Sequence, residues 1–171
     1  MSRITRFLFL SITLILSTKE TAYAQISSYQ ELQAAYIYNF AKYIKWPGEA
    51  EAFVIGVYDD EEVMNLLKAV LSEKKIGGRE IELKMLTKSA DLTGCNIVYV
   101  PERGSRYVSD LSDSISGRNI LLVTEEDMIK KGAMISFVVE DEKLRFKLKK
   151  TSLASAGLVA SDGLLKLAIV Q

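Results

Sequence analysis

The sequence predicts an α/β fold: a mainly parallel sheet flanked by helices, with an antiparallel hairpin near the C-terminus. Three observations carry that expectation. Short apolar runs rich in β-branched residues, "FVIGVY" (53–58), "CNIVYV" (95–100) and "NILLVT" (119–124), recur between segments of helical period. They are continuous rather than alternating, as strands covered on both faces must be. The stretch "MISFVVEDEKLRFKLKK" then breaks the rhythm, because two strands meeting at a tight acidic turn can only pair antiparallel.

The first element lies ahead of the fold. Arg3 and Arg6 precede the apolar run Phe7 to Leu16, and Ala22-Tyr23-Ala24 closes the segment, the three-part pattern of a secretory signal. The apolar run is about half the roughly 20 residues that a membrane span needs. Residues 1–24 are therefore expected to be a cleaved leader and residues 25–171 one exported, soluble domain. Loss of Arg3, Arg6, Lys19 and Glu20 leaves the remainder slightly acidic, which gives nucleic acid no general attraction. The chain contains no histidine and a single cysteine. His-based acid/base chemistry and His metal ligation are thus excluded, as is an intrachain disulfide.

The helix that follows contains "AAYIYNFAKYIKWP" (34–47), five aromatic residues ending at a Trp-Pro pair. On a helical wheel Leu32, Tyr36, Asn39, Phe40, Tyr43 and Trp46 share one face, widened by Ile37 and Ile44. Ala34, Tyr38, Ala41, Lys42 and Lys45 fall opposite. Pro47 restrains Trp46 from helical dihedrals and is expected to end the helix there. Asn39 in the apolar stripe needs a backbone partner if buried. Tyr38, projecting with Lys42 from the polar face, is either an isolated exposed aromatic or a partner contact.

After the "FVIGVY" strand, "DDEE" (59–62) precedes a helix marked by Val63, Leu66, Leu67, Val70 and Leu71. Carboxylates at a helix start cap it and repel phosphates, and neither a G-x-G-x-x-G nor a P-loop spacing is present. Gly77-Gly78 leads into "REIELKMLT", a half-exposed strand. "CNIVYV" is a buried strand that begins at Cys95, an inert buried thiol. Tyr107, Leu111 and Ile115 mark a helix, and a short helix over 125–131 follows "NILLVT". In the hairpin, strict alternation sends Leu144, Phe146 and Leu148 inward and Lys143, Arg145, Lys147 and Lys149 outward. That basic row either protects a sheet edge or meets an acidic partner. The tail reads as two short helices. No nucleophile and base come together at any familiar spacing, and no cofactor motif or metal-ligand pattern appears, so an enzyme is not expected.

The helix "LQAAYIYNFAKYIKWP", the strands "FVIGVY" and "CNIVYV", the segment "NILLVTEEDMIKKGAMISFVVEDEKLRF" and the tail "ASAGLVASDGLLKLA" together resemble the YfiR-like family, also called domain of unknown function 4154. The resemblance implies a periplasmic regulator of α/β fold that binds and represses an inner-membrane diguanylate cyclase, lowering cyclic di-GMP and biofilm formation. It also implies a homodimer, and in other settings a sensor kinase as partner. Asn39, Phe40, Pro47, Met134, Phe137 and Phe146 match the family's signature. Tyr38, Lys42, Trp46, Lys143 and Arg145 are the expected partner or ligand contacts. With Cys95 alone, the family's disulfide control has no counterpart here. The alternative is a periplasmic small-molecule sensor, with Trp46 or Arg145 touching the ligand in an apolar pocket.

Overall fold

The computed structural model describes residues 29–48, 51–87 and 92–171. The expected leader, residues 1–24, lies outside them. Helix α1 covers residues 29–43 and runs into β1 (Ile44–Lys45). The chain then alternates through β2 (Ala52–Tyr58), α2 (Glu61–Leu71), the hairpin β3 (Lys75–Ile76) and β4 (Arg79–Leu86), and β5 (Ile97–Val100). A 3-10 turn (Glu102–Tyr107) leads into α3 (Val108–Ser114), followed by β6 (Leu121–Thr124), a second 3-10 turn (Ile129–Lys131), β7 (Ile135–Glu140) and β8 (Lys143–Leu148). Two short helices, α4 (Lys150–Ser155) and α5 (Asp162–Leu167), alternate with β9 (Val159–Ala160) and β10 (Ile169–Val170).

Eight strands form one sheet in the order β10-β8-β7-β6-β5-β2-β4-β3, and β1 pairs with β9 separately. From β4 to β7 every neighbouring pair is parallel, whereas β3–β4 and β7–β8 are antiparallel. The predicted fold class therefore holds. The five parallel strands, taken in chain order, lie 2-1-3-4-5, a doubly wound arrangement whose direction reverses between β2 and β5. Alternation along β5 sends Tyr99 toward α1, where its hydroxyl meets Gln33. Val100 instead meets Gly104 of the 3-10 turn before α3, where a Cβ would approach it to 2.8 Å. Helices thus cover both faces.

Helix α1 buries a different stripe from the one the wheel suggests. Ala34, Ile37, Phe40, Ala41 and Ile44 are buried, while Leu32 and Tyr43 are 48% and 45% exposed. The small residues face inward because an alanine stripe lets the helix approach the sheet closely. Phe40 reaches between Phe137 and Phe146, its centroid 5.8 and 5.0 Å from theirs, and Tyr36 packs 5.4 Å from Phe146. Met134 is buried at the approach to β7. The helix stops at residue 43, before Trp46, because Ile44 and Lys45 pair with Ala160 and Val159 and Ser161 N–H donates to the Tyr43 carbonyl.

Three other expectations are corrected. Residues 125–128 do not form a helix, since Thr124 Oγ1 donates to the Glu126 carbonyl at 2.7 Å and Glu125 is drawn aside by the Glu102 N–H. The tail adds a strand beyond its helices: β10 lies along β8 at Lys147 and Leu148, so the basic strand is outermost only over residues 143–146. "CNIVYV" becomes strand at Ile97, two residues after the buried Cys95. Among the described residues, no helix is long and apolar enough to cross a membrane.

Candidate functional site

In a doubly wound sheet the crevice for ligands lies at the carboxyl ends of the strands, where the strand order reverses. In this molecule Asp59-Asp60 follow β2, Glu102 follows β5 and Glu125 to Asp127 follow β6. Between them and the start of α1 lies a cleft of about 650 Å³. Val63 of α2 and Val139 and Leu144 of the hairpin supply its apolar walls. Its rim carries six carboxylate residues against one guanidinium, Arg103.

Each carboxylate is placed by a local cause. Asp60 is the N-cap of α2 and accepts from Val63 N–H at 3.0 Å, fulfilling the capping expectation. Arg103 approaches its other oxygen at 4.0 Å. Glu125 accepts from the Glu102 N–H at 2.8 Å, and Glu126 from Ser105 Oγ at 2.6 Å. Partial burial pushes the Glu125 carboxyl above its ordinary range, against the lowering effect of the Glu102 N–H. Asp127 is held below its range chiefly by its hydrogen bond to Lys147 Nζ at 2.7 Å. Beneath Gln33, burial together with Glu125 and Asp60 raises the Tyr99 phenol well above its ordinary value. It therefore stays protonated and donates to Gln33 Oε1 at 3.1 Å. Gln33 is only 6% exposed.

The residues expected to make contacts do not gather here. Tyr38 turns toward the loop between α2 and β3, where its hydroxyl donates to the Lys75 carbonyl at 3.3 Å and Lys74 lies 5.2 Å from its ring. Its side chain is half-buried. Trp46 donates from Nε1 to the Ala41 carbonyl at 3.0 Å and stands edge-on to Phe53 at 5.1 Å, so it closes the end of α1. Lys42 is exposed and lies 5.3 Å from the Tyr43 ring, while Pro47 is exposed and Asn39 half-buried. Lys143 and Arg145 line the far side of β8, with Arg145 3.8 Å from Glu140. Four strand spacings of about 4.8 Å each separate β8 from the strand that Trp46 covers. The expected contacts thus belong to two separate surfaces, and neither Trp46 nor Arg145 lines the cleft. Phe40, Phe137 and Phe146 are brought together as core.

The cleft was not assembled by sequence reasoning, because its acids come from three strand ends far apart in the chain. The sequence signal for it is "DDEE" after the first strand, a pattern that helix capping explains equally well. Among the described residues, no group of three or more acidic or sulfur ligands is arranged to hold a metal ion.

Comparison with known proteins places these features in a family. A crystal structure of a conserved domain protein from Vibrio cholerae O1 biovar El Tor aligns with a TM-score of 0.53 at 13% identity, over 68% of this chain. The likeness is one of fold. This chain spans about half, 54%, of that protein's length. No curated protein matches the sequence. The YfiR/HmsC-like family, domain of unknown function 4154, matches residues 30–169, from the start of α1 into β10. That match takes in every strand of the sheet and both halves of the aromatic cluster that joins α1 to the hairpin, and the chain accordingly belongs to the YfiR/HmsC-like family.

Proposed function

We propose that this protein is an exported periplasmic regulator that binds the periplasmic part of an inner-membrane signalling enzyme, a diguanylate cyclase, and holds it inactive. The observation that carries this reading is the family match across residues 30–169. Regulation of this kind works through surface complementarity, so it needs no nucleophile, metal or cofactor from the regulator. The exposed Lys42 on one surface and the Lys143 and Arg145 row on the other are the contacts proposed for acidic parts of the partner. Deleting the gene should raise cellular cyclic di-GMP and surface attachment, and the tagged protein should retain the cyclase in a membrane pull-down. Unchanged cyclic di-GMP together with no membrane enzyme recovered would overturn the reading. Export is tested separately, by fractionation and by the mass of the mature N-terminus.

A second reading, sensing of a small molecule, is favoured by the cleft at the strand ends. Its size falls within the roughly 300–1,000 Å³ typical of ligand sites, and it sets apolar walls beside a rim of carboxylates. The two readings are compatible, since a ligand that prefers the partner-competent state shifts the population toward it.

A further inference from the structure

The sensing reading leaves the chemical class of the ligand open, and the cleft narrows it. The N-terminal end of α2, where a phosphate would bind in a fold of this kind, is already closed by Asp60, whose carboxylate takes the Val63 N–H. Glu62 and Glu102 are exposed at the same mouth, and no described residue forms a side-chain hydrogen bond or ion pair with either. Their charges are unneutralised beside a low-dielectric wall, which raises the local concentration of cations and lowers that of anions.

A second feature is independent of the acids. Gln33 lines the cleft although it is 94% buried, with 6% exposure. Its Oε1 is held by the Tyr99 hydroxyl at 3.1 Å, whereas its amide nitrogen has no partner among the described residues. Among the described residues no buried side-chain nitrogen or oxygen lacks a partner, so this amide nitrogen reaches solvent and is free to donate to an acceptor. The apolar surface of Val63, Val139 and Leu144 completes the environment, and Val139, 56% exposed, offers open apolar surface.

We infer that the cleft binds an organic cation: a small amine whose charge sits between Glu62 and Glu102, whose apolar body lies on Val63, Val139 and Leu144, and whose hydrogen-bond acceptor meets the amide nitrogen of Gln33. This inference rests on the sensing reading and specifies it.

Tyramine is a suitable probe, since it carries an ammonium, an aromatic body and a hydroxyl acceptor. Phenethylamine lacks the acceptor, and 3-(4-hydroxyphenyl)propionate carries the opposite charge. Binding to the mature protein would be followed by the side-chain amide resonance of Gln33 in ¹⁵N-labelled protein, with calorimetry for affinity. Tyramine should shift that resonance and bind more tightly than phenethylamine, and the propionate should do neither. The double variant Glu62→Gln/Glu102→Gln, which removes only exposed charges and should melt at the wild-type temperature, should weaken tyramine about tenfold, the effect of losing one charge-assisted contact. Equal binding of the propionate, or an unchanged affinity in the double variant, would overturn the inference. If the anion moves Gln33 and the amine does not, the ligand class falls while sensing stands. If no probe moves Gln33 at millimolar concentration, both fall.

Discussion

Glu125 holds a charge where water is partly withdrawn, and its carboxyl sits above the ordinary range as a result. The sign of its effect on stability follows from linkage. A carboxyl whose folded value is raised favours folding while it is protonated, below its unfolded value, and that contribution is lost as the pH rises through the folded value. At neutral pH the ionised group therefore destabilises the fold. Glu125→Gln keeps an oxygen for the Glu102 N–H and removes the charge, so its melting temperature should exceed wild type at pH 7 by on the order of 1 °C. The difference should vanish near pH 4, and a thermal melt at the two pH values checks both parts. Trp46 offers a second residue-scale test. Trp46→Phe keeps an aromatic edge against Phe53 but deletes the Nε1 donor that satisfies the Ala41 carbonyl. The expected loss is about 1 kcal/mol in urea unfolding. The sequence already put this indole at the end of α1. What it could not supply was the intervening pair Ile44–Lys45, since a two-residue strand has no periodicity of its own.

At the scale of elements, the central strands were readable because each is a continuous apolar run covered on both faces, a pattern that solvent-exposed segments do not produce. The wheel for α1 was rotated for an equally physical reason. Large aromatics outweigh alanines in any hydrophobicity count, yet Ala34 and Ala41 are what allow close contact, leaving Tyr43 outside. The tail strands β9 and β10 are too short to announce themselves and exist only because Ile44–Lys45 and Lys147–Leu148 offer edges to pair with. The β7–β8 turn was legible in place but not in geometry. Asp141 and Glu142 both adopt positive φ, 50° and 59°, as the two-residue turn that matches strand twist demands. Neither residue is at ease there, the glutamate least. Asp141→Asn with Glu142→Gly should therefore stabilise the protein by about 1 kcal/mol, from relief of the left-handed strain. A higher urea midpoint with an unchanged slope would show it, and a lower midpoint would mean that the Glu142 side chain does something beyond the turn.

An aromatic cluster adds to the β1–β9 pairing in tying together the two ends of the described chain. Phe40 and Tyr36 from α1 meet Phe137 and Phe146 from the hairpin, so the first described helix cannot leave without exposing the last long strands. Tyr29 strengthens the link by donating its hydroxyl to the Glu142 carbonyl at 2.9 Å. The same geometry roofs the cleft, because α1 carries Gln33 on one side and the hairpin carries Val139 and Leu144 on the other. A molecule entering there would touch both partners of this contact. The opposite end of the sheet is built differently: β3 is two residues long, and β4 alternates between half-exposed and exposed positions as far as Leu83 and is fully buried only at Leu86. Local opening should follow that contrast. In native-state hydrogen exchange, the amides of α1 and of β7–β8 should open together at a free energy near that of global unfolding, with β3 and the outer half of β4 opening well below it. Phe146→Ala, expected to cost about 3–5 kcal/mol, should lower protection in α1 and in the hairpin by the same amount. Loss of protection in the hairpin alone would show that α1 is an independent unit, and the cleft it roofs would then open and close on its own.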